Sequence, residues 1–310
     1  MENVPSQFCE AVAATIGRLA VDFDASQIKN RKWASAMADR SAERRDYFNV
    51  YVQLTPDLCW RYYCRRDPTL CNAPPQQLLM MENYKFEDLK RMDPKTFQFA
   101  SLDIQSATFP WLPDPLPAIL GTVLYKEFIP FILKHSNSWT FSYSLNLNER
   151  YRNSTEKMLR AVERRPFEAC AVRYGGAKTE EFVRFQLSQR LAALELNGFW
   201  PPTMKSALAA FISSPYFEKL ELAQECDITM DFAVFETMFE LFVKGSAFTK
   251  LYLRCYIRAP FVTFESYRKD MQVAMSPGNE VMWRNPLTNL TFLLMENDKG
   301  RGYRFIVGKD

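Results

Sequence analysis

One short apolar pattern is written three times between residues 190 and 257: Leu191-x-x-Leu194-x-Leu196, Phe217-x-x-Leu220-x-Leu222 and Phe248-x-x-Leu251-x-Leu253. The copies start 26 and 31 residues apart. Within each copy the last two apolar residues share one face of a strand, and the segments between copies carry apolar residues at helical spacing. Each copy therefore reads as one strand followed by one crossover helix. Units of this kind stack into a strand-helix solenoid with a parallel sheet, the leucine-rich-repeat-like form of an α/β fold. Looser copies, Phe99-x-x-Leu102-x-Ile104, Thr140-x-x-Tyr143-x-Leu145 and Phe167-x-x-Cys170-x-Val172, extend the series to six.

In such a stack the pattern residues point into the core, and the residues between them form the outer face of the sheet. That register places Arg173, Glu195, Lys219, Glu221, Lys250, Tyr252 and Arg254 outward. A face of mixed charge with one aromatic suits protein recognition, in which Tyr and Arg act as anchors. An ordinary solvated sheet face has the same composition. Cys170 falls on an inward position and reads as a small buried hydrophobe. The segment Asp231–Lys244 carries Phe232, Phe235, Met238, Phe239 and Phe242 at helical spacing, which makes it a core helix.

The segments flanking the repeats are less regular. Phe48, Val50, Val52 and Leu54 alternate, a Pro56-Asp57 turn follows, and Cys59 to Cys64 resumes the pattern, so a β-hairpin is expected at 47–66. Val281 to Trp283, Leu290 to Met295 and Tyr303 to Val307 read as strands, with Asn297-Asp-Lys-Gly300 as a hairpin turn, and residues 276–310 are expected to form a C-terminal β cap.

Other features bound the chemistry. Net charge is +3 from 39 basic and 36 acidic side chains, which does not call for a nucleic-acid partner. The cluster Arg61, Arg65 and Arg66 with Trp60, Tyr62 and Tyr63 keeps a nucleic-acid surface as an alternative, against a strand with one packed aromatic face and one solvated basic face. Cys59, Cys64 and Cys71 lack a fourth zinc ligand nearby, because the one His is His135, so no metal site is expected. His135 reads as the last turn of a helix. No Gly-x-Ser-x-Gly, Walker, His-Glu-x-x-His or dinucleotide motif occurs, so neither a catalytic residue nor a cofactor is assigned. A hydrolase using paired carboxylates is the enzymatic alternative. No apolar run has membrane-spanning length, and Glu10 and Arg18 interrupt the segment Phe8 to Ala20, so neither a membrane helix nor a signal peptide is expected. The seven Cys are then read as reduced thiols of a cytoplasmic or nuclear protein.

At the N-terminus Pro5, Phe8, Val12 and Ile16 lie on one helical stripe, and a second helical stretch carries Trp33. The segment 1–46 reads either as a helical cap on the first core layer or as a docking motif. Its proline, the apolar residues at those offsets and Trp33 resemble the F-box, although the Leu-rich middle helix of that motif is missing and Lys29-Asn-Arg-Lys-Trp33 stands where F-boxes usually have an apolar-Cys-basic-Trp signature. Together with the strand from Tyr47 to Leu54 and the irregular repeats in 47–310, the layout resembles nematode-type F-box-associated proteins. The resemblance implies a non-catalytic substrate receptor of a cullin ubiquitin ligase, docking on a Skp adaptor through Pro5, Phe8, Val12, Ile16 and Trp33.

Overall fold

The computed structural model describes residues 46–67, 83–106, 116–136, 140–144, 152–223, 225–226, 228–244, 250–257, 259, 263–264, 267–268, 271–276, 280–285, 287, 290–296 and 303–309. The predicted N-terminal helices, with Pro5, Phe8, Val12, Ile16 and Trp33, lie outside these residues, as do Phe248, Cys71 and the turn at 297–300. The chain divides into two compact units, Met1–Thr140 and Phe141–Asp310. The division falls within the span 47–310 that the sequence presents as continuous.

In the first unit β1 (Asp46–Leu54) and β2 (Trp60–Arg66) form the expected antiparallel hairpin, from Phe48 opposite Arg66 to Leu54 opposite Trp60. Thr55 closes its turn: Oγ1 donates to the Cys59 carbonyl at 2.8 Å and accepts from the Cys59 N–H at 3.1 Å. β3 (Phe97–Gln105) runs parallel to β1, and β4 (Ala118–Ile119) runs antiparallel to β2. The partner of β1 jumps from Phe99 to Ser101, so Ala100 is an extra residue in β3. That bulge is what lets Phe99 and Leu102, three positions apart, both reach the core.

Helix α1 (Phe86–Arg91) and the helical run α2 (Gly121–Val123), a π-helical stretch (Leu124–Phe128) and α3 (Ile129–Lys134) supply the rings that meet the strands. Phe128 lies 4.9 Å from Tyr62 and 5.0 Å from Phe86 between ring centroids. Pro130 has no N–H for the Lys126 carbonyl, and the stretch just before it is the widened one. His135 closes the run, with Nδ1 2.8 Å from the Phe131 carbonyl and its ring 5.5 Å from Phe97.

The second unit alternates strands and helices: β5 (Thr140–Ser144), α4 (Arg152–Val162), β6 (Ala169–Arg173), α5 (Ala177–Leu187), β7 (Ala193–Asn197), α6 (Lys205–Ile212), β8 (Lys219–Leu222), the short β9 (Thr229–Met230), α7 (Phe232–Lys244) and β10 (Lys250–Ile257). Four strands follow: β11 (Gln272–Ser276), β12 (Glu280–Arg284), β13 (Leu290–Glu296) and β14 (Tyr303–Lys309). Neighbouring order in the sheet is β5-β6-β7-β8-β10-β14-β13-β12-β11, and β9 pairs with the end of β10. The pattern residues of successive repeats stand opposite one another: Cys170, Leu194, Leu220 and Leu253 form one buried row. In the fifth strand Tyr143 is buried and Ser142 and Ser144 stand on the other parity, as the pattern expects; only its opening position departs, because Thr140 is exposed and Phe141 is buried instead.

The expected parallel sheet closed by a separate C-terminal β cap is corrected by the C-terminal strands. β6, β7, β8 and β10 are parallel, whereas β14 joins β10 antiparallel and β13, β12 and β11 continue in that sense. Hairpin-length connections permit only antiparallel neighbours, whereas the parallel pairs need crossover helices. The C-terminal strands therefore lengthen the sheet rather than cap its edge, and β11 becomes the last strand in the order. Their inward residues pack on α7. Phe235 touches Trp283, Phe292 and Phe305 at 5.8–5.9 Å, and Phe239 touches Phe292 at 5.4 Å. Asn285 ties the two elements by polar contacts, since its Nδ2 donates to the carbonyls of Phe242 (3.1 Å) and Val243 (3.0 Å) in the last turn of α7. Those carbonyls have no partner within the helix.

Candidate functional site

Because α7 packs on the inward residues, the alternate residues of β7, β8 and β10 stand on the opposite face. There Lys219 is opposite Tyr252, Glu221 is opposite Arg254, and Glu195 is opposite Glu221. The two carboxylates that face each other would repel. Lys219 resolves this: its Nζ lies 3.0 Å from Glu221 and 3.8 Å from Glu195, and 5.5 Å from the centre of the Tyr252 ring. Arg254 holds the other oxygen of Glu221 at 3.0 Å, and the Asn197 amide donates to Glu195 at 3.1 Å.

Five predicted residues, Glu195, Lys219, Glu221, Tyr252 and Arg254, are thereby brought together into one ladder. Arg173 is not part of it. It lies exposed at the end of β6, opposite Asn197, and pairs with Glu225 at 3.4 Å. Lys250 stands at the start of β10 opposite Gly308, and its side chain lies outside the described residues. Asn197 bonds to Glu195 on the outer face rather than to the backbone of a neighbouring repeat.

The ladder sets the charge states. Burial alone would raise the Glu221 carboxyl, but the hydrogen bond and charge of Lys219, joined by Arg254, outweigh it and hold the group below its ordinary value of 4.5. Burial likewise acts to lower Lys219, and the hydrogen bond and charge of Glu221, with Glu195, carry it above 10.5. An ionised carboxylate between two cations is suited to fixing the geometry of the face and is poorly placed to donate a proton. The stability that Glu221 adds is complete above pH 4.5 and lost as pH falls through its lower folded value. The stability from Lys219 is complete below pH 10.5 and lost as pH rises past its folded value. In urea unfolding, Glu221→Gln is expected to cost about 1 kcal/mol at neutral pH. That cost should shrink towards zero in acid; a cost that does not change with pH would separate it from ionisation.

Two other places bear on the alternative readings. An open groove of about 500 Å³ runs between α6 and α7, lined by Ser206, Ala209, Ile212, Val234 and Asp231 among others. Asp231 is the carboxylate in that lining, and Lys205 neutralises it at 2.7 Å. In the first unit, β2 carries Trp60, Tyr62 and Cys64 buried on one face. On the other, Arg61 donates to the Leu116 carbonyl at 3.3 Å and Arg65 to the Tyr51 hydroxyl at 3.3 Å; Arg66, which ends the strand on the parity of Trp60, pairs with Asp46. Tyr63, between Arg61 and Arg65, is fully buried. That face is more covered than the solvated basic face the sequence suggests, and its guanidinium groups have partners within the unit.

The face also extends past the residues picked from the repeats. Tyr252 stands opposite Ile306, Ile306 opposite Leu293, and Leu293 opposite Met282, so one partly exposed apolar row crosses four strands. The signal for it was present in β13. Thr291-Phe-Leu-Leu-Met295 is apolar on both parities, which a strand with one solvated face would not be.

No family model, curated protein or solved structure matches this chain.

Proposed function

We propose that this chain is a non-catalytic protein-recognition scaffold, in which a leucine-rich-repeat-like solenoid of strand-helix units presents the outer face of β7, β8 and β10 to a partner protein. The observation that supports this most is the ladder from Glu195 to Arg254. It fixes Tyr252 and Arg254, residue types that anchor interfaces, in a rigid sheet rather than on a mobile loop. The F-box resemblance extends the reading. The segment 1–46 would dock on a Skp adaptor through Pro5, Phe8, Val12, Ile16 and Trp33, which makes the chain a substrate receptor of a cullin ubiquitin ligase in the cytoplasm or nucleus. Among the described residues no helix is long and apolar enough to cross a membrane.

The test is site-specific photo-crosslinking in cells, with a benzophenone side chain placed at Tyr252. A protein adduct is expected at this position and is expected to disappear when Arg254→Glu is added. The same adducts from a probe at the exposed Glu236, on α7, would end the reading. For the adaptor, co-purification with a Skp protein is expected to be lost on Pro5→Ala with Phe8→Ala. Absence of any Skp protein from the wild-type preparation would remove the ligase part alone.

A further inference from the structure

The outer face solves one like-charge contact, between the parallel strands β7 and β8, and leaves another open, between the antiparallel strands β10 and β14. Glu195 and Glu221 are opposite each other, and Lys219 bridges them. Arg254 and Arg304 are also opposite each other, on β10 and β14. Arg254 has Glu221 on its far side, while Arg304 has no carboxylate within ion-pair distance among the described residues. Its other cross-strand neighbour is Met295, and Glu280 stands one strand beyond that. Like charges directly opposite in a sheet are destabilising, so this pair is a place where an incoming carboxylate gains more than it does elsewhere on the face. Beside the pair runs the apolar row Tyr252, Ile306, Leu293 and Met282, each partly exposed.

We propose that the outer face of β10, β14, β13 and β12 binds an extended peptide segment of a partner protein in which an aspartate or glutamate adjoins aliphatic side chains. This rests on the recognition reading above and gives the partner its chemistry. The carboxylate sits between the Arg254 and Arg304 guanidinium groups and takes charge-assisted hydrogen bonds from both. The neighbouring aliphatic residues cover Ile306, Leu293 and Met282, a contiguous apolar row of the kind that marks interaction sites. The charge contrast with the rest of the face sets the register, because Glu221 and Glu195 repel an acidic residue placed one or two strands further on. A nucleic acid fits less well: beyond Tyr252 the row offers aliphatic groups where bases need aromatic platforms, and acidic residues flank the two arginines on both sides.

The experiment is a random-peptide display library panned against the full chain, followed by titration of the enriched peptides in solution. Enriched peptides are expected to share an acidic residue beside aliphatic ones. Their affinity is expected to fall about tenfold or more with Arg304→Glu, and also when the peptide's own acid is replaced by its amide. A peptide with lysine in place of the acid is expected to regain affinity for the Arg304→Glu chain. Arg304→Gln, with an unchanged circular dichroism spectrum, serves if the charge reversal fails to fold. Enrichment without acidic residues, indifference to Arg304 and Ile306→Ser, or tighter binding of a single-stranded oligonucleotide would overturn the proposal. Peptides whose affinity depends on Lys219 and Tyr252 but not Arg304 would overturn it while leaving the recognition reading intact. No enriched peptide, together with no Tyr252 adduct, would end both.

Discussion

Replacing Phe235 by alanine is expected to cost the second unit about 3–5 kcal/mol and to lower its thermal midpoint by roughly 10 °C. Phe235 is fully buried at the end of the first turn of α7. Its ring lies within 4.9 to 5.9 Å of Phe232, Phe239, Phe264, Tyr267, Trp283, Phe292 and Phe305. It is thus the meeting point of α7 with β12, β13 and β14. Truncation removes the transfer free energy of a phenyl ring and leaves a cavity that several large rigid rings cannot collapse to fill. The neighbouring Glu236, which is exposed, should give a midpoint unchanged within about a degree when changed to alanine. A thermal scan of the two variants followed by near-ultraviolet circular dichroism checks both. Equal midpoints would mean that α7 is not packed against the antiparallel strands.

How much of this was legible follows from what periodicity encodes. The pattern Leu191-x-x-Leu194-x-Leu196 and its relatives fixed which side chains of β6, β7, β8 and β10 face inward, because in a strand the face alternates with every residue. It thereby also placed Glu195, Lys219, Glu221, Tyr252 and Arg254 on the opposite face. Direction is a different matter, since alternation reads the same for parallel and antiparallel neighbours. The four-residue turn expected at 297–300 does demand an antiparallel pair for β13 and β14. It does not say that β14 would pair with β10 and carry the sheet onward. The Thr140 copy kept its parity, with Tyr143 inward, and departs only at its opening position, where Phe141, on the parity of Tyr143, is buried and Thr140 is exposed.

Pairing partners across strands were beyond the pattern altogether. That Lys219 would bridge two facing carboxylates, and that Arg254 would meet Arg304, depends on which residue of one strand stands opposite which of the next. Those are long-range facts set by crossover lengths and by the docking of β14. The apolar residues on both parities of β13 were the one local clue that the C-terminal face carries more than solvent-facing polar groups.

Along β10 successive residues face opposite sides, the core and the proposed recognition surface, and neighbouring substitutions test this directly. Leu253 is fully buried between Leu220 and Phe305, and Tyr252 beside it lies partly exposed between Lys219 and Ile306. Urea unfolding of Leu253→Asp is expected to show a loss of more than about 4 kcal/mol, or no folded state at all, because the carboxylate would be buried without a partner. Tyr252→Asp, placed beside Lys219, is expected to stay within about 1 kcal/mol of the parent. Equal losses for the two, or a larger loss at Tyr252, would contradict the register and with it the proposed recognition face.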